Sequence, residues 1–206
     1  MVTVRGQAYT LEGVIGSLVI LSAVLFAMQS VALTPSTGGS VDVSERQELR
    51  NQATDILVLS SQDENFSLST MVRYWNERTR TFHGGLTPRL GYGSRHPPGA
   101  MGEMLNETFA NRSRKYNLEV RYLPKDPTNP ANSTAIVFQG TPDENAVVAK
   151  RTVTLFDNQT LTAPGASDVE LWQYGTSIND QDGYYPVPNA VEGPVYNVVE
   201  VRLIVW

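Results

Sequence analysis

Residues 13–41 carry no charged side chain, and this run constrains the chain's architecture more than any other feature. Residues 14–33 read VIGSLVILSAVLFAMQSVAL, relieved only by glycine, three serines and Gln29. About twenty helical residues rise roughly 30 Å, the thickness of a bilayer's hydrocarbon core. A helix that packs on a globular core keeps one polar face, and this stretch has none. It predicts a transmembrane helix over residues 13–33. A cleaved secretory signal with a cut near Ala32 is the alternative, although such signals carry a shorter apolar region of about 7–15 residues. Arg5 and the amino terminus precede the run, while Asp42, Glu45 and Glu48 follow it. Retention of positive charge in the cytoplasm then leaves the N-terminus inside and the bulk of the chain outside. The expectation is a single-pass cell-membrane protein with an extracellular main domain and the lipid bilayer as its first partner.

Residues 34–43 read as a linker, because Pro35, Gly38 and Gly39 break the helix. What remains, residues 44–206, is long enough for one hydrophobic core and short for two. The sequence has no cysteine, which excludes a disulfide framework and thiolate metal sites. Its net charge is −5 and its lysines are only Lys115, Lys125 and Lys150. No clustered basic face of the kind nucleic acid requires is present, and no cofactor motif appears.

Within this domain the period of the apolar residues changes once. Leu49, Ala53, Ile56 and Leu57 recur at helical spacing behind Ser44-Glu45-Arg46-Gln47, a capping-box pattern, and predict a helix from residue 44 to about 60. Leu68, Met71, Val72 and Trp75 mark a second helix; Met101, Met104, Leu105, Thr108 and Phe109 mark a third. After Tyr116 the period becomes twofold. Leu118, Val120 and Tyr122 alternate with Glu119 and Arg121, residues 135–138 and 147–156 read as strands, and Val199, Val201, Leu203 and Val205 alternate near the end. Helices first and strands afterwards predict an α+β fold: an N-terminal transmembrane helix, then helices packed on an antiparallel sheet.

Chemistry-bearing patterns are sparse. Five N-x-[ST] sequons begin at Asn65, Asn106, Asn111, Asn132 and Asn158. All follow the predicted span and are candidates for N-glycosylation; Asn106 and Asn111 are expected on a helix face and so less accessible. Asn179-Asp180-Gln181-Asp182-Gly183 resembles part of a calcium loop, but Ile178 holds the first ligand position and no Glu stands at the twelfth, so it reads as an acidic turn. His83 and His96, the only histidines, share a Gly/Pro/Arg-rich stretch at residues 84–99 and its margin, with no nucleophile motif beside them. That stretch, with Trp75, Arg89, Tyr92 and Arg95, reads as surface loop or binding surface. No catalytic, cofactor or metal site is predicted.

Residues 5–12, RGQAYTLE, resemble the class III signal segment of archaeal type IV pilin-like proteins: a short basic leader, a Gly-Gln junction, then a glutamate entering the apolar helix. That resemblance implies cleavage between Gly6 and Gln7. The family usually carries the glutamate at the fifth mature position; Glu12 is sixth after Gly6, and fifth only if the cut follows Gln7. The resemblance further implies that Glu12 pairs with the new N-terminal amine of a neighbouring subunit. The alternative is a solvated Glu12 at the cytoplasmic interface. Beyond the leader, an RTVTL strand at 151–155 and a VVEVR strand at 198–202 are similar to those of haloarchaeal membrane-anchored pilin-like proteins. The function expected on this basis is a pilin-like or minor pilin-like surface protein without catalytic activity, with other pilin-like subunits as partners. The alternative is a tethered binding or accessory ectodomain that does not polymerise.

Overall fold

The computed structural model describes residues 4–29, 43–175 and 183–206. The chain divides into two units, Met1–Ser40 and Val41–Trp206.

In the first unit, α1 (Val4–Gln29) is one uninterrupted helix. Its described side chains run from residue 12 to residue 24, and every one is exposed. Among the described residues no helix is long and apolar enough to cross a membrane. The predicted linker at 34–43, but for its last residue, and most of the acidic turn at 179–183 lie outside the described residues.

The second unit is α+β, with helices packed on a four-stranded antiparallel sheet. Strands β3 (Tyr116–Tyr122), β4 (Asn132–Val137), β5 (Val147–Phe156) and β6 (Val195–Val205) stand in the order β4-β3-β6-β5. Twofold alternation explains the layering, because successive side chains on a strand point to opposite faces. Leu118 and Val120 of β3, Val147 and Leu155 of β5, and Val199, Val201, Leu203 and Val205 of β6 are all buried on one face. The opposite face is ionic: Arg202 Nη1 lies 2.9 Å from Glu119 Oε1, and Lys150 Nζ lies 3.2 Å from Glu200 Oε2. These cross-strand pairs suit a polar face but, being partly exposed, add at most about 1 kcal/mol each.

Helix α2 (Val43–Gln62) covers the apolar face with Leu49, Ala53, Ile56 and Leu57, the positions its period predicts. It starts at Val43, two residues before the first helical position that a Ser44 cap implies, so Ser44 lies within the first turn; the Gln47 amide donates to Asn51 Oδ1, one turn on. α3 (Leu68–Val72) and α4 (Ala100–Thr108) pack against it, and α3 also touches β5. The second predicted helix is thus a single turn. Ser67 caps it, its Oγ accepting from Thr70 N, and Trp75 opens a short hairpin of β1 (Trp75–Asn76) and β2 (Thr81–Phe82) instead. In the hairpin Trp75 is buried: its ring meets Phe82 edge-on at 5.5 Å and its Nε1 donates to the Tyr184 carbonyl at 2.9 Å.

Two buried asparagines tie loops to the sheet. Asn197 of β6 accepts from Leu123 N at 3.2 Å and donates to the Leu123 and Pro188 carbonyls at 3.0 and 2.8 Å. Asn117 of β3 accepts from Gln139 N and donates to the Gly140 carbonyl, both at 2.8 Å. Each side chain satisfies backbone groups that burial would otherwise leave unpaired, a cost of about 1–3 kcal/mol per group. Tyrosines do the same work with their hydroxyls: Tyr185 donates to the Val72 carbonyl at 3.0 Å and Tyr196 to the Val187 carbonyl at 2.6 Å. Burial raises the pKa of both, and pushes that of Tyr116 up to about 12. A neutral phenol is therefore favoured in the folded state, a contribution complete below the unfolded value of about 10 and lost as pH rises beyond it.

Candidate functional site

The residues singled out in the sequence fall in both units. In α1 the backbone is helical through Gly6 and Gln7, and Glu12 is exposed. The sequons are spread over the second unit. Asn65 lies in the turn between α2 and α3, where Asp63 Oδ1 accepts from its backbone N at 2.8 Å. Asn132 opens β4, and Asn158 stands in the turn that follows β5. All three are exposed. Asn106 is half-buried in α4, as expected. Asn111 departs from expectation: it sits in a 3-10 turn (Ala110–Arg112) after α4 has ended, and it is exposed.

The loop at 84–99 is a built structure. Gly91 forms an antiparallel bridge with Val137, Tyr92 N donates to the Ile136 carbonyl at 2.8 Å, and Phe138 N donates to the Leu90 carbonyl at 3.1 Å. The loop thereby pairs the second half of β4, which as an edge strand would otherwise present bare backbone groups. Gly91 is required there, with φ +56 and a Cβ position that would overlap the Ile136 carbonyl. Two of the residues proposed for a binding surface are consumed in holding the loop: Tyr92 Oη donates to the His83 carbonyl at 2.6 Å, and Arg95 Nη2 to the Gly84 carbonyl at 2.8 Å. Of the histidines, His83 stacks edge-on against Tyr74 at 5.3 Å, and His96 Nδ1 lies 3.0 Å from the Pro97 carbonyl.

The other two, Trp75 and Arg89, line an open cleft of about 550 Å³ beside the first half of β4, with Arg80, Glu119, Phe138 and Tyr184. Arg80 holds a left-handed backbone, φ 55, at the hairpin turn. A second, more polar hollow of about 470 Å³ lies between residues 76–79 and 163–167. At its floor the Glu77 carboxylate accepts from Tyr174 Oη at 3.0 Å and from Ser167 N at 3.2 Å. Burial first, and then this carboxylate, hold the Tyr174 phenol well above its usual range. Sequence reading missed both hollows. The first joins three segments, residues 75–89, 119–138 and 184–186, and the second joins two about ninety residues apart; no local pattern announces such a meeting. Among the described residues no group of three or more His, Asp or Glu side chains could hold a metal ion.

A family model described as a family of unknown function, DUF7288, matches residues 5–205, and the chain belongs to that family. No curated protein and no solved structure matches it.

Proposed function

We propose that this DUF7288 chain is a membrane-anchored, extracytoplasmic, pilin-like surface protein without catalytic activity. The observation that carries the reading is the surface of α1. Val14, Ile15, Leu18, Val19, Ile20, Leu21 and Val24 are 51–66% exposed. At about 100° per residue these positions fall on every side of the helix. Keeping an aliphatic side chain in water forgoes roughly 1.5–3 kcal/mol of burial. A partner helix would cover one stripe, whereas a bilayer covers the whole circumference. The apolar run continues in sequence to Leu33, which supplies the length of about 20 residues that hydrocarbon demands. The charge order around it supports a cytoplasmic N-terminus and an external domain.

A second reading, a tethered accessory domain that never polymerises, is favoured by the division of the chain at Ser40 and Val41. In sequence Pro35, Gly38 and Gly39 stand between the apolar run and α2, residues that break a helix. Glu12 separates the two readings. Pilin-like assembly needs its carboxylate to meet the amine of a processed neighbour. Glu12→Ala is then expected to leave membrane insertion intact, since removing a charge eases entry into lipid, and to abolish recovery in filaments sheared from the cell surface. Abundant filaments built from the Glu12→Ala protein would rule out the pairing. A wild-type chain found in membranes and never in filaments would establish the tethered reading instead.

A further inference from the structure

The five sequons sort to different ends of the domain. The strand register places Asn132 opposite Tyr122, the last residue of β3. Tyr122 in turn faces Val199, and Val199 faces Val153. β5 runs on past this row to Phe156, with Asn158 just beyond. Asn132 and Asn158 therefore stand at the same end of the sheet. The chain enters at the other end. Glu45, in the first turn of α2, pairs with Arg114, and the adjacent Lys115 exchanges backbone hydrogen bonds with Trp206, both at 3.0 Å. α2 then rises about 30 Å along its length and delivers Asn65 to the end that Asn132 and Asn158 occupy. Two contacts fix that arrival: Thr162 Oγ1 donates to the Thr70 carbonyl and Arg73 Nη1 to the Thr160 carbonyl, each at 2.7 Å. Asn111, three residues before Arg114, remains at the entry end, and Asn106 is half-buried.

We propose that the end of the domain opposite the chain entry is a glycan-bearing surface, with N-linked sugar on Asn65, Asn132 and Asn158. All three side chains are exposed, and the hydroxyl residues of their sequons are Ser67, Thr134 and Thr160. The donor is an oligosaccharide carried on a lipid phosphate, transferred by an oligosaccharyltransferase on the outer side of the membrane. The asparagine amide nitrogen attacks C1 of the first sugar. A C–N bond forms and the C1–O bond to phosphate breaks, its electron pair leaving with the lipid phosphate. The nitrogen gives up one proton, which the leaving phosphate or solvent takes. The inference rests on the extracytoplasmic reading, because that is where donor and acceptor meet. It also confines the bulk of the sugar to one end, leaving the entry end and the ionic face of the sheet open to protein contacts.

The test is peptide mapping by mass spectrometry of protein purified from its native membranes, together with Asn65→Gln, Asn132→Gln and Asn158→Gln. The expected result is sugar on all three asparagines, the loss of one glycan mass with each substitution, and the loss of three in the triple variant. Bare asparagines at all three positions, or sugar confined to Asn106 and Asn111, would overturn the proposal. Protease added to the same intact cells keeps the two ideas apart. A digested domain without sugar sinks this inference and leaves the extracytoplasmic reading standing; a protected domain sinks both.

Discussion

Gly91→Ala is expected to lower the stability of the second unit by about 3 kcal/mol and to free the 84–99 loop from the edge of β4. An L-residue held in the left-handed region costs roughly 1–2 kcal/mol. Gly91 has φ +56, and the added Cβ would overlap the carbonyl carbon and oxygen of Ile136. Those are backbone atoms of a sheet strand and cannot rotate aside, so an overpacking cost of about 1–3 kcal/mol adds to the strain. The relief available is to break the Tyr92–Ile136 and Phe138–Leu90 hydrogen bonds, which exposes the strand edge and removes a wall of the 550 Å³ cleft. Hydrogen exchange of the Tyr92 and Phe138 amides, alongside thermal unfolding of the full chain in detergent, reads both effects. Unchanged protection at these amides, with an unchanged midpoint, would show that the loop does not depend on Gly91.

Placing aspartate at Leu21 and Val24 together is expected to strip the protein from membranes. Both residues lie near the middle of the apolar run at 14–33, and both are more than half exposed on α1. An aspartate at the centre of a membrane helix costs about 2.5–3.5 kcal/mol on insertion scales. Two such residues shift the insertion equilibrium by about four to five powers of ten, at 1.4 kcal/mol per factor of ten. The paired change to alanine is the control and should leave the protein in the membrane pellet. Retention of the double aspartate variant in carbonate-washed membranes would mean that α1 is not what holds the chain there.

Much of the second unit was legible in the sequence because its elements are long enough to show a period. Val199, Val201, Leu203 and Val205 alternate over a strand of 11 residues, and Leu49, Ala53, Ile56 and Leu57 keep helical spacing over a helix of 20. The hairpin at Trp75 was not legible: its strands have two residues each, too few for any period, and Trp75 fits the helical pattern of Leu68, Met71 and Val72 equally well. Asn117 and Asn197 look like surface asparagines until the loops they bind are known. The cleft draws on Trp75, Arg89, Phe138 and Tyr184, which no local signal connects. The sequons themselves were plain in the sequence, but their grouping depends on strand register and on the direction of α2. Asn111 shows the reverse failure: α4 ends at Thr108, before the helix face on which Asn111 was expected, so it stands exposed in a turn.

The central claim is that α1 anchors the chain in a bilayer with the second unit outside the cell. Protease added to intact cells that make the protein natively, followed by mass spectrometry of what stays in the membrane, tests it most directly. The account predicts that the second unit is lost, and that a fragment containing residues 14–33 remains with the membranes and resists carbonate. Full-length protein surviving protease in intact cells, or recovered in the soluble fraction after lysis, would contradict it.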